Sequence, residues 1–531
     1  VVEDRSFKLI IERYENLKNY RIPWMTHWDD VSRYIIPVEN IYPKARGGKR
    51  HTNIYDSTAT RALYRLAATL HSMLTNPSQL WLSLKIQPWE LAQYNEVQRW
   101  VQSCEDICLE AINSSNFHMK AQEFYLSLIA FGTAILFLDS NEDPNQPDIV
   151  FHCLPVSQCV IAENEHGFVD VLFREFSLSA RNVVRQFGEK ACNKAILEKA
   201  EKYPDEEIKI LHAIFPKDDY NKFNKLDKPY ASVWLALDWK HVLKEAGYYE
   251  FPAFVTRWAT APGEIFGRGP GMEALPDVKT INSMTKSVLE ASSKIINPPL
   301  DVEFKSYLTE LNATPGAINT RAKGAERIQP LYVVDGQTIP ITEHLITGVK
   351  QSINETFYYD AISLVRADRM TATEVMQRVE ENIRVLGPTY SRLVHEYLEP
   401  LTKRVIGIMA RKNKLPEMPS ILQRYGGPVK VEFMSPMSRA QRMSDVAAIQ
   451  RALSFVSVLA QVNPEMLDVF DFDETARHVA DITGVPARLL RNRDDVEAIR
   501  QARAQAQAMQ QQMQLMKDAA EVGKTASQIE M

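Results

Sequence analysis

Two helical segments of nearly equal length, with residues 297–340 between them, constrain this chain more than any other feature. The first covers about residues 277–295. Pro276 sits in its opening turn, where a missing N–H costs nothing. Asn297-Pro298-Pro299 ends it, because proline cannot donate to the helical ladder and clashes with the turn before it. The second covers about 341–359 and sets Ile341, Leu345, Val349, Ile353 and Phe357 four residues apart on one face. At 1.5 Å per residue each spans about 28 Å. Apolar stripes of that length do not stand alone in water, so the chain itself or another copy of it must cover them. Residues 297–340 read as short strands and turns inserted between the pair.

The rest of the chain divides by hydrophobic period. Residues 5–38 read as a helix carrying Phe7, Leu9, Ile10, Tyr14 and Leu17, and Asp56 or Ser57 caps another that runs to Leu74. Further helices are expected over 94–113 and 116–131. From Thr133 the period shortens to that of strands: 134–138, 148–154, 159–161 and 168–174, then 208–215, 231–237, 242–245 and 254–258. One helical stretch, 179–201, separates the two groups. After the second paired helix, a loop over 361–371 leads into a long amphipathic helix. Thr371 or Thr373 caps it, Glu374 lies in its first turn where the helix dipole is positive, and Val375, Val379, Ile383 and Leu386 make its stripe. Gly387-Pro388 interrupts that helix, and the pattern resumes through Tyr390, Leu393, Val394, Tyr397 and Leu401. A strand at 429–433 is expected to return to the first half of the chain. Residues 438–531 read as helical, ending in an Ala-, Gln- and Met-dominated tail that is helix-prone and frays. At 531 residues the chain is too long for one core. The expected fold class is α+β, mainly helical, in two to four structural units.

Composition excludes several functions. The net charge of −5, from 62 Lys+Arg against 67 Asp+Glu, gives no general grip on nucleic acid, whose binding depends on neutralising phosphates. The five cysteines, Cys104, Cys108, Cys153, Cys159 and Cys192, have no framework or zinc-ligand spacing and are expected as buried free thiols in a reducing compartment. No run of about 18 apolar residues suggests a membrane helix, and the charged, helical N-terminal segment is unlike a signal peptide. Gly47-Gly48-Lys49 is followed by Arg50, not by Ser or Thr, so there is no phosphate loop of the Walker type. His395-Glu396 lacks the second histidine of a zinc-protease motif, and no Gly-x-Ser-x-Gly elbow occurs. Gly267-Arg268-Gly269-Pro270-Gly271 precedes a helix, as a phosphate cradle does. Pro270 removes a donor such a cradle needs, so a tight hinge into the helix is the better reading.

Four stretches then occur in a telling order: Tyr55 to Leu63 with Leu74 to Pro77 and Trp81; Phe266 to Pro276; Met370 to Val375 with Arg384 to Pro388; and the Gln/Ala/Met tail. Together they resemble the head-to-tail connector, or portal, protein family of short-tailed bacteriophages (the podovirus portal family). The resemblance implies a portal fold with a wing over 1–265, a first stem helix at 266–296 and a clip at 297–340. A second stem helix at 341–360, a channel loop at 361–371, a long wing helix with its return strand at 372–437, and a crown with a C-terminal helical tail at 438–531 complete it. It also implies a homo-oligomeric ring of about twelve subunits at one capsid vertex, around a channel for double-stranded DNA. Such a ring nucleates head assembly with the major capsid and scaffolding proteins, docks the terminase packaging motor, then holds a tail adaptor and serves genome ejection. It would be found in the virion, and in the host bacterial cytoplasm during assembly. No cofactor, metal, membrane contact or enzymatic activity is implied.

On that resemblance the candidate DNA-facing residues are Arg366, Asp368 and Arg369 in the channel loop, with Lys350 and Lys286 on the stem helices. The clip residues Arg321, Lys323 and Arg327 are candidates for contact with motor, adaptor or neighbouring subunit. A near-neutral chain fits a channel that must pass phosphate without trapping it. The alternative is another ring-forming virion protein, such as a tail adaptor or nozzle subunit, for which an insertion between two matched helices is not expected.

Overall fold

The computed structural model describes residues 2–42 (except 38 and 40), 54–77, 81–87, 90–91, 94–217 (except 144), 227–301, 338–359, 387–425, 430–433, 448–457, 469–483 and 493–529, with isolated positions between them. The loop expected at 361–371, the helix expected from 372 to 386 and most of 297–340 lie outside the described residues. In chain order the first elements are α1 (Val2–Tyr34), α2 (Thr58–Leu74), β1 (Leu84–Gln87), α3 (Asn95–Asn113), α4 (Phe117–Phe131), β2 (Thr133–Ser140), β3 (Ile149–Leu154), β4 (Cys159–Glu163) and β5 (Val169–Ser179). Then come α5 (Ala180–Phe187), α6 (Lys194–Lys202), β6 (Glu207–Pro216), β7 (Tyr230–Ala236), β8 (His241–Tyr248), β9 (Ala253–Arg257) and α7 (Leu275–Ile296). The remainder are β10 (Leu300–Asp301), β11 (Gln329–Pro330), α8 (Thr338–Thr356), α9 (Gly387–Leu393), α10 (Glu399–Arg411), α11 (Ser420–Tyr425), β12 (Lys430–Phe433), α12 (Phe472–Thr483) and α13 (Arg493–Ile529). The class is α+β and mainly helical, as expected. Residues within 1–79 and 111–404 form one compact unit, and those within 80–110 and 405–531 a second.

Among the described residues the first unit holds, beside the short antiparallel pair β10-β11, two larger antiparallel sheets. One is a five-stranded meander, β4-β5-β6-β7-β8, each strand hydrogen-bonded to the next in sequence. Phe7 and Tyr14 of α1 pack on one of its faces with Val160, Phe173, Leu211 and Leu235. Val183 of α5 and Ile196 of α6 pack with Ile208, Ile210 and Leu243. Covering both faces explains why Leu211 to Ile214 of β6 are all buried, where a sheet open to water on one side would alternate. The single helical stretch expected at 179–201 is instead two helices. Gly188, at φ +84°, breaks them, because that backbone conformation cannot continue a right-handed helix. The second sheet is β3-β2-β9, with Ile135 opposite both Leu154 and Val255. The second half of its neighbour α4 is buried on nearly all sides, through Phe124, Tyr125, Leu128, Ile129 and Phe131, as a core helix is; the first half keeps a polar face with the Lys120–Glu123 pair.

The end of α4 makes the tightest approach in this unit. Gly132 closes the helix in the left-handed conformation, its N–H bonded to Leu128 O at 2.9 Å. A Cβ at Gly132 would lie 2.4 Å from Gly267 O, and one at Gly267 would lie 2.3 Å from Gly132 O. At Gly269 and Gly271 a Cβ would sit 2.7 Å from the carbonyl oxygens of Ile129 and Ala130. The run 267–271 is therefore a seam of backbone laid on backbone, and each of its three glycines is needed. Two of the donors a phosphate would use are engaged: Gly267 N–H bonds Thr133 Oγ1 at 2.8 Å, and Arg268 N–H bonds Ala259 O at 2.7 Å. Pro270–Glu273 makes one helical turn, and α7 follows with Pro276 in its opening turn, as the hinge reading expects.

Gly387 and Pro388 open the described helix α9, which continues through a wide π turn at Val394–Leu398 into α10. The side chain of Arg404 is buried and donates to Leu138 O at 3.0 Å and Glu250 O at 3.0 Å.

In the second unit β12 pairs antiparallel with β1, Ile86 opposite Val431. The return strand was expected; its four-residue partner was not. Ile86, Val97 and Leu422 form a small core with Trp100 beside it, and the indole of Trp100 donates to Pro416 O at 3.0 Å. Cys104 and Cys108 are buried free thiols, and burial pushes both up to about 12. Cys159 and Cys192 of the first unit are also free and buried, and Cys153 is half-buried.

Gly132→Ala combines left-handed strain with a collision against fixed backbone, so it should cost about 3 kcal/mol or more. Gly263→Ala carries similar strain (φ +83°) but meets nothing within 4 Å, and should cost about 1 kcal/mol. Denaturant midpoints of the two variants test the difference.

Candidate functional site: the paired helices and their anchor

Helices α7 and α8 run antiparallel: Asp277 near the start of α7 accepts from Ser352 Oγ, near the end of α8, at 2.7 Å. Their proximal ends are rooted. Leu275, Val278 and Ile281 of α7 are buried, as are Ile353 of α8 and Phe357 just beyond it. Their distal halves are not. Leu289 is 55% exposed, Ile296 75% and Leu345 55%.

The root is stitched to Tyr55-Asp56. Asn282 Oδ1 accepts the backbone N–H groups of Tyr55 at 2.6 Å and Asp56 at 3.1 Å, while its amide donates to Val278 O at 2.7 Å. Asp56 accepts the N–H of Thr58 at 2.8 Å, and so is the residue that caps α2; Ser57 makes no side-chain cap. Its other oxygen pairs with Lys350 Nζ at 2.9 Å. Burial works against the charged carboxyl of Asp56. The hydrogen bonds from Thr58 and Lys350 outweigh it and hold the group below its ordinary value.

The two lysine candidates on these helices thus meet around one short segment. Lys350 pairs with Asp56, and Lys286 lies 6.0 Å above the Tyr55 ring and 3.8 Å from Glu290. Lys279 of α7 is paired as well, with Asp30 of α1 at 2.8 Å. Lys323 is exposed. Arg321, Arg327, Arg366, Asp368 and Arg369 lie outside the described residues.

Sequence reasoning missed a second cluster. Arg257, at the end of β9, is 4% exposed and ties three segments together. Its guanidinium pairs with Glu163 of β4, with Glu396 of the π turn at 2.7 Å, and with Gly167 O at 2.9 Å. Its backbone N–H also bonds Glu396, at 2.8 Å. Arg392 donates to Thr260 Oγ1 at 2.6 Å. These groups line an open cleft of ≈ 490 Å³. The one available signal was a charge inside the otherwise apolar strand run at 254–258. Both carboxylates are committed to a guanidinium, an arrangement suited to holding segments together. Among the described residues no group of three or more His, Cys, Asp or Glu side chains is placed to hold a metal ion. Nor is any described helix long and apolar enough to cross a membrane.

A family model described as bacteriophage head to tail connecting protein matches residues 8–490. A probable portal protein of Bordetella phage BPP-1 is 31% identical, covering 98% of this chain and 95% of its own length. The portal protein of Salmonella phage epsilon15 is 28% identical with the same coverage. That of Escherichia phage T7 is 23% identical over 76% of this chain and 75% of its own.

Arg257→Met leaves Glu396, whose side chain is 9% exposed, with only its longer 3.5 Å ion pair to Arg392, so it should cost about 3 kcal/mol by thermal or denaturant unfolding. Lys350→Met removes a half-exposed cation from an Asp56 side chain that is 10% exposed and keeps its Thr58 hydrogen bond, and should cost about 1 kcal/mol. Because the folded Asp56 carboxyl is depressed, the stabilisation from its pair is present above the ordinary 3.8. It is lost as pH falls through the lowered folded value. The gap between wild type and Lys350→Met should therefore close in acid.

Proposed function

The chain belongs to the family of bacteriophage head-to-tail connecting proteins, and we propose here how its surfaces serve that connection. Its function is that of a head-to-tail connector, a structural component of the phage particle. A tail adaptor or nozzle subunit is not favoured, since the relatives that match it nearly end to end are portal proteins. That continuity of match is the observation that carries the reading.

In the proposed arrangement about twelve copies close side by side into a ring at one capsid vertex, heterologous contacts closing on themselves. The α7–α8 pairs form the stem around a passage for double-stranded DNA. Residues 1–265 and 372–437 form the wing, 297–340 the clip, and 438–531 the crown and tail. What supports the stem assignment is the exposure of Leu289, Ile295, Ile296 and Leu345 on the distal halves, apolar surface suited to a neighbouring copy. What supports loose passage is charge pairing. Lys279 and Lys350 are matched by Asp30 and Asp56, and Lys286 lies near Glu290. A lining of paired charges neutralises few phosphates, so DNA slides instead of sticking.

Arg366, Asp368 and Arg369 are proposed to meet DNA at the narrowest point. Arg321, Lys323 and Arg327 are proposed to face the terminase motor, then the tail adaptor, or a neighbouring subunit. The ring would nucleate heads with capsid and scaffolding proteins in the host cytoplasm. No catalytic step is assigned to the chain, in keeping with a structural family.

Purified full-length protein should form closed rings with a central hole by negative-stain imaging and native mass spectrometry. Monomers or dimers alone, across salt and protein concentration, would overturn the ring. Arg366→Ala with Arg369→Ala should spare ring formation and alter packaging or genome retention, more so at low salt, since exposed charges are screened within about 10 Å at 0.1 M. Loss of rings in that double variant would move these arginines to the subunit interface.

A further inference from the structure

Helices α2 and α4 are held in register where Thr75, just past the end of α2, meets the buried Tyr125 of α4, Oγ1 to OH at 3.2 Å. One turn back along α2, His71 meets His118 of α4, their ring centroids 5.5 Å apart and their planes at 74°. Both residues are half-buried. Nε2 of His71 and Nδ1 of His118 are covered by protein, and neither has a hydrogen-bond partner, so these two nitrogens do not bond each other. A buried polar atom left unmatched is costly and uncommon in native structures. Here two occur on adjoining rings.

The proton on His118 is fixed from outside the pair. Its Nε2 meets Asn113 Oδ1 at 2.8 Å. A carbonyl oxygen only accepts, so Nε2 donates, and Nδ1 is left with a bare lone pair. A bond of this kind from the second ring nitrogen is how histidine metal ligands are oriented. Burial works against the charged form of both imidazoles, and His71 adds to the effect at His118. Both are therefore neutral near pH 7, the form that binds metal. The spacing suits an ion as well. A metal–nitrogen bond of about 2.0–2.1 Å puts each ring centroid about 3.2 Å from the metal, and two such rings at a tetrahedral angle lie about 5.2 Å apart. The observed 5.5 Å is close to that separation.

We propose that His71 and His118 bind a divalent cation of the zinc class between α2 and α4, with water completing its coordination. The ligand type selects the cation, because imidazole suits Zn²⁺ and Cu²⁺ while Mg²⁺ and Ca²⁺ take oxygen donors. Among the described residues no third His, Cys, Asp or Glu side chain joins the pair, so the ion exchanges with solvent. It ties α2, which opens at the Asp56 cap beside the helix pair, to α4, which closes at the Gly132 seam. Both ligands come from one chain, so the site does not depend on the ring.

Calorimetric titration of the metal-stripped full chain with Zn²⁺ tests this, with circular dichroism to check the fold of each variant. Wild type should bind one more Zn²⁺ per chain than His71→Gln or His118→Gln, and Mg²⁺ should not fill that site. Asn113 is exposed and does not touch the ion. Asn113→Ala should weaken the site about ten-fold, and Asn113→Asp, which can only accept, should restore it. No Zn²⁺ bound by wild type, a site that survives loss of either histidine, or equal binding of Mg²⁺ overturns the pair as a metal site. Unchanged affinity in Asn113→Ala overturns the orientation of His118, and the two Asn113 variants decide the matter if the histidine variants do not fold.

Discussion

A contact between two stretches of bare backbone governs the larger unit. The end of α4 and the run 267–271 approach so closely that no side chain fits between them at positions 132, 267, 269 or 271. Glycine is the one residue that permits this, and at position 132 it also supplies the left-handed turn. The consequence is positional. The chain leaves β9, crosses the end of a core helix at fixed height, and enters α7 through Pro270 and Pro276. The point at which the chain enters α7 is thus set by backbone contact, and the side chains of Leu275, Val278, Ile281 and Asn282 then seat the helix.

Around that seam, charge completes what backbone contact begins. Arg257 lies at the edge of the same crossing, and its side chain would be touched by a Cβ on Gly267. It joins β4, β9 and the π turn between α9 and α10. A buried pair of this kind adds little net stability compared with apolar packing, but breaking it by removing one partner is costly. Its contribution is to specify which segments meet. The lysines of the helix pair belong to a different class. They are partly exposed, individually weak, and matched by carboxylates close by.

How much of this could be read from residues alone depended on range. The hairpin-linked strands between Thr133 and Arg257 were legible, because each finds its partner nearby and each alternates or runs apolar. The cap at Asp56 and the stop at Asn297 were legible for the same local reason. Strand β1 was not: Leu84–Gln87 is four residues long and pairs with Lys430–Phe433 at the far end of the sequence. The cluster at Arg257 was illegible because its carboxylates stand 94 and 139 residues away. The break in the 179–201 stretch had a signal, Gly188, which a purely hydrophobic reading passes over.

The helix pair is rooted at one end and bare at the other, and that asymmetry makes it a cantilever. Val278, Ile281, Ile353 and Phe357 clamp the root, while the stretch of α7 from Ile281 to Ile296 carries its tip about 22 Å beyond the clamp. A rotation at the clamp of about 5° displaces the tip by about 2 Å at that length, more than a third of the 5.4 Å helical pitch. Strain too small to disturb the packed root is therefore read out as a shift of side-chain register at the far end, and a push on the tip returns to the root with the same leverage.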